Sequence, residues 1–162
     1  MAEDTDLQRF YRLVLSNHDW LKCRKTLNTC ATAKNETAKE ALLLMAIVYY
    51  ARPFSGNERN PGATAASRVD PTVLGVLTAE ELKLHARLME LRHKAVAHAE
   101  SETYHAIGLE PNGILASAVF SPWNYINDAE LPAINALAEK LWSKGDILAW
   151  ELRRTLERRS TP

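Results

Sequence analysis

A chain of 162 residues, 46% apolar and 25% charged, carries enough hydrophobic material for one folded core, which excludes wholesale disorder and requires no second domain. Its 20 basic and 20 acidic side chains cancel, so no overall positive field marks a non-specific nucleic-acid binder. The segment MAEDTDLQRF is acidic where an export signal is basic and then apolar, which predicts a cytoplasmic protein. The longest apolar run, Ala41 to Ala51, is about half the roughly 20 residues a membrane helix needs, so no membrane partner is expected. Cys23 and Cys30 would lie roughly 10 Å apart along a helix, too far for a disulfide. The absence of CxxC and HxxxH spacings predicts no metal site, and nothing in the chain asks for a cofactor.

The first helix is expected to start at Thr5 or Asp6, with Leu7, Phe10, Tyr11, Val14 and Leu15 recurring at the spacing of one buried face, and Leu21 and Leu27 extending it. Small polar residues from Asn28 to Asn35 predict a break, after which Asn35 caps a second helix running to about Arg52. Leu42, Leu43, Leu44, Met45, Ile47, Val48 and Tyr49 make that helix apolar nearly all round and predict burial on most sides. Pro53 ends it. The following stretch to Leu77 is rich in Gly, Pro and Asn and reads as a long irregular loop, either functional or disordered.

Thr78-Ala79-Glu80-Glu81 has the form of a capping box and opens a third helix to about Ala99. Tyr104 to Leu109 and Ile114 to Phe120 flank the turn Glu110-Pro111-Asn112-Gly113, which predicts a small β-hairpin over 104–120. Asp128 is expected to cap a last helix with Ile134, Leu141 and Leu148 on one stripe and Ala138 and Leu152 beside it; Gly145 within it suits a close helix crossing or a kink. The fold expected is all-α: a single domain over 1–162, a four-to-five-helix up-and-down bundle carrying a small hairpin insertion.

On the third helix, Leu82, Leu84, Leu88, Met89, Leu91, Ala95, Val96 and Ala99 project to one broad face. His85 and Arg92 fall within about 20° of each other inside that face. For His85 the simplest expectation is a hydrogen bond to a carbonyl. A guanidinium there pairs with an acid, snorkels to water or meets an anionic ligand. His98 projects about 120° from Arg92 and roughly 9 Å along the axis, so the two meet only across a two-fold interface or through distortion of the helix end.

The sequence at 91–98, Leu-Arg-His-Lys-Ala-Val-Ala-His, an arginine, a polar residue and then a histidine on the third helix of a small bundle, resembles the signature of the HEPN domain superfamily. The likeness extends back through LTAEELKLHARLMELRHKAVAH to YYARPF at 49–54. It implies a helical bundle that dimerises to bring two motifs into one cleft, and a metal-independent endoribonuclease of the toxin or defence type, with RNA as substrate and an antitoxin protein as partner. Within it, Arg92 and His98 would be catalytic: the histidine moves a proton, its ordinary pKa of roughly 6.5 leaving both forms available, and the arginine stabilises the phosphorane. His93 either positions substrate or sits in solvent, and Arg52 either serves the C-terminus of the second helix or clamps a phosphate. The family also contains inactive members, so a nucleotide- or RNA-binding or protein-interaction module is the alternative. The tryptophans Trp20, Trp123, Trp142 and Trp150 are expected to pack, and the arginines from 153 to 159 to be solvated surface.

Overall fold

Every element described in the computed structural model is helical, over residues 5–56, 65–94 and 124–160. The hairpin expected at 104–120 and Trp123 fall outside the described residues. Four α-helices carry the fold: α1 (Thr5–Thr32), α2 (Glu36–Ala51), α3 (Ala79–Arg92) and α4 (Leu131–Ser160). Among the described residues no helix is long and apolar enough to cross a membrane.

The helix ends follow local chemistry. Asn35 Oδ1 accepts from the Ala38 N–H at 2.9 Å and caps α2. Thr78 and Glu81 close the capping box in both directions at the start of α3. The start of α4 differs from expectation: Asn127 caps a single 3-10 turn over Asp128–Glu130 with Glu130 as its reciprocal partner, while the Asp128 carboxylate turns away to Lys39 at 2.7 Å. The break between α1 and α2 is also shorter than expected, because α1 stays helical through Thr32.

Pairs between helices fix the topology. Asp6 meets Arg159, and Arg24 meets Asn135 and Glu139, so α1 and α4 run antiparallel. Cys30 lies against the Lys39 carbonyl while Arg12 reaches Arg52 and Pro53, so α1 and α2 are antiparallel as well. Glu81 bridges Lys140 and Arg87 bridges Glu130, which reverses α3 against α4. The order is therefore up, down, up, down. One end of the bundle gathers the C-termini of α1 and α3 with the N-termini of α2 and α4.

The core is built from Trp20, Leu27, Leu43, Ile47, Tyr50, Leu88, Ile134, Leu137 and Leu141 with the small residues between them. On α1 the buried stripe is Leu13, Ser16, Trp20, Cys23, Leu27 and Cys30 rather than the more apolar one expected; Leu7, Tyr11, Val14 and Leu15 face outward, Val14 being 46% exposed. Small Ser and Cys side chains at helical spacing let two long neighbours approach α1 closely, which outweighs the transfer energy of the richer stripe. Gly145 answers them from α4, where an added Cβ would strike the Asn17 side-chain oxygen and come within 2.9 Å of the Trp20 ring. Both cysteines are free and buried, and burial pushes the Cys23 thiol up to about 12.

Helix α2 buries Leu43, Ala46, Ile47, Tyr50 and Ala51 but leaves Met45 exposed, so the all-round burial expected of it is not realised within one chain. The loop after Pro53 is more regular than its composition suggests. Val69 donates to the Pro53 carbonyl at 2.9 Å and Ala66 to the Gln8 carbonyl at 3.1 Å. Asp70 then caps a 3-10 turn over Pro71–Val76 that plants Val73 in the core. Residues 57–64 lie outside the described residues.

Candidate functional site

Helix α3 carries its motif to the end of the bundle where α4 begins. Leu88 and Leu91 are buried, Leu84 and Met89 partly so, and Leu82 at the first turn is exposed. Ala95, Val96, Ala99 and His98 lie outside the described residues. Arg92 is the last α-helical residue, half-buried beside Leu91. Among the described residues its guanidinium has no hydrogen-bond or ion-pair partner, in contrast to Arg87 one turn earlier, which is held by Glu130. His93 is exposed, and with Lys94 it widens the winding to a π-type turn. Such turns interrupt the regular i→i−4 ladder and are frequent at functional sites.

His85 shares the face of Arg92 but not its surroundings. Its Nδ1 lies 2.9 Å from the Tyr50 hydroxyl, and its ring stands edge-on to Phe54 at 4.7 Å. The expected carbonyl partner is thus replaced by a phenol. Burial lowers the His85 pKa, since its neighbours offer no charge to offset desolvation of the imidazolium.

A second polar cluster sits between α1 and the end of α2. Arg12, 3% exposed, donates to the carbonyls of Arg52 and Pro53 at 2.8 and 2.9 Å and so closes the C-terminus of α2. Asp19, 6% exposed, accepts from Arg52 Nη1 at 3.0 Å. Burial pushes the Asp19 carboxyl up against the opposing pull of Arg52 and Arg12. The outer side of Arg52 lies over the Tyr49 ring, 5.3 Å from its centroid, with Lys22 at 5.4 Å from the same ring.

Arg52 and Arg92 are not brought together within one chain. From the Tyr50–His85 contact, Arg92 lies onward along α3 and Arg52 onward along the antiparallel α2, which separates them by about 13 Å along the axis. The residues that sequence reasoning passed over are Arg12 and Asp19. Their signal is the same as that of Arg92, polar groups on a buried stripe, and a more apolar stripe on the opposite face of α1 masks it. Of the tryptophans, Trp20 is buried as expected, but Trp150 is 57% exposed under the Arg154 guanidinium. Two of the basic residues near it are spent locally, Arg153 on Glu157 and Arg159 on Asp6.

The same end of the bundle that holds Arg92 also holds a surface cleft of about 320 Å³ between the last turns of α1 and the first of α4. Leu27, Leu131 and Pro132 form its apolar walls, and Asn28, Asn135 and Asp128 its polar ones. Comparison of the chain with family models, curated proteins and solved structures finds no match.

Proposed function

We propose that the chain is a HEPN-like domain that works as a homodimeric, metal-independent endoribonuclease. The observation that carries the reading is the Arg92 guanidinium, half-buried beside an apolar stretch and without an anionic partner among the described residues. Such a group gains most from a bound anion, and a phosphodiester is one that a planar guanidinium grips with two parallel hydrogen bonds. Arg92 stabilises the phosphorane in this reading and His98 moves the proton of the ribose 2′-hydroxyl, so the chain's own side chains supply both the charge and the proton transfer.

Dimerisation is part of the proposal. His98 follows Arg92 by a distance that one straight helix does not close, so a two-fold axis near the end of α3 gathers two arginines and two histidines around one phosphate. His93 contacts substrate from the exposed turn, and Arg52, some way along the bundle and already holding Asp19, takes a phosphate flanking the scissile one. Release of a small RNase that cleaves cellular RNA requires a neutralising protein, which makes a toxin with an antitoxin partner the natural setting.

The test is cleavage of a mixed RNA pool by purified protein in EDTA, read as fragments ending in 2′,3′-cyclic phosphate. His98→Ala should abolish cleavage with fold and dimer intact, and Arg92→Lys should be severely impaired, because an ammonium keeps the charge and loses the fork. Identical fragments from wild type and His98→Ala would sink the enzyme reading. If neither cuts and Arg92→Ala weakens RNA binding, the chain is the inactive binding module.

A further inference from the structure

The cleft at the α4 end of the bundle has a fixed polarity. Asn135 Oδ1 accepts from Arg24 Nε at 3.2 Å, so its amide nitrogen must donate onward, and it does so to Asn28 Oδ1 at 2.7 Å. The relay leaves the Asn28 amide nitrogen as the terminal donor at the cleft wall. The same cleft is lined by Asp128, whose Oδ2 accepts from Lys39 at 2.7 Å. An ionised carboxylate offers acceptors only, and an amide NH2 donors only. The volume of about 320 Å³ is at the lower end of small-ligand sites, and its aliphatic walls suit a flat ring.

The geometry points to a guanine-binding subsite in this cleft, in which the Asp128 carboxylate accepts from the N1–H and N2–H groups and the Asn28 amide donates to O6. Guanine is the one common base with two adjacent donors followed by an acceptor on one edge. Adenine, cytosine and uracil each leave at least one of the three contacts unmade, and the match of donors and acceptors along an edge is what discriminates bases. The inference rests on the RNA reading above and deepens it. The Arg87–Glu130 pair ties the last turns of α3 to the turn that carries Asp128, so a guanine held here lies at the same end of the bundle as Arg92.

The experiment titrates the full chain with the 5′-monophosphates of guanosine, inosine, adenosine and uridine, following the side-chain amide resonances of Asn28 and Asn135 and the binding heat. The guanosine nucleotide should shift both amides. Inosine, which lacks the N2 amine, should bind about ten-fold more weakly, and Asp128→Asn should weaken the guanosine nucleotide by a similar factor. Because Asp128→Asn also breaks the bridge to Lys39, Asn28→Ala provides a second variant that leaves the bridge intact and should cost guanosine about ten-fold too. Equal affinity for all four nucleotides, or shifts that bypass Asn28 and Asn135, would overturn the subsite. Its failure is separable from that of the RNase reading. Guanosine-selective binding without RNA cleavage leaves the subsite standing and removes the enzyme, whereas cleavage that continues unchanged in Asn28→Ala with no nucleotide preference does the reverse.

Discussion

Arg12 and Arg92 are the same residue type on apolar helix faces, and their surroundings assign them different work. Arg12 spends two N–H donors on carbonyls at the end of α2 and stands beside Asp19, so its removal leaves buried acceptors empty and a buried carboxylate less compensated. Arg12→Ala should lower the unfolding free energy by about 3–5 kcal/mol in a denaturant titration. Arg92 has no partner among the described residues, so Arg92→Ala should change stability by less than about 1 kcal/mol while activity falls, a split a structural role would not give. His85 supplies a pH dependence. Its folded pKa lies below the ordinary value, so the unfolded chain binds the proton more readily. Stability should therefore be full above about pH 6.5 and decline as acid carries the chain through that value towards the lower folded pKa. His85→Gln should flatten that part of a Tm-against-pH profile, and an unchanged slope would assign it to another group.

At the scale of the helices, the seam between α1 and α4 depends on small residues in register. Gly145→Ala adds a methyl group where Asn17 and Trp20 already stand, and it should cost about 1–3 kcal/mol by thermal or denaturant unfolding even though alanine is the better helix former. Caps were legible in the sequence because they are local: Asn35, Thr78 and Glu81 act within three residues of themselves. The stripe on α4 was legible because Ile134, Ala138 and Leu141 pack one way whatever lies opposite. The buried face of α1 was not, since Ser16, Cys23 and Cys30 gain their value only once Gly145 and α2 are in place. The loop beyond Pro53 misled for a related reason. Its hydrogen bonds go to Gln8 and Pro53, distant or preceding partners that no turn signal records. Of the candidate site, the position of Arg92 on a largely apolar face was legible from periodicity, and the 13 Å or so between it and Arg52 was not, because that separation comes from the antiparallel pairing of α2 with α3.

For the whole molecule, the proposed dimer predicts sedimentation as a two-chain species at micromolar concentration, and a monomer under those conditions would remove the two-fold route by which His98 joins Arg92. Up-and-down order has one more consequence. The Asp6–Arg159 bridge at 2.8 Å pins the start of α1 to the finish of α4, and α4, with its 30 residues, extends roughly 45 Å from there to the cleft and the end of α3. A fluorescent protein, affinity handle or solid support attached at either of these two residues therefore hangs from the pole opposite the one that holds Arg92 and the cleft.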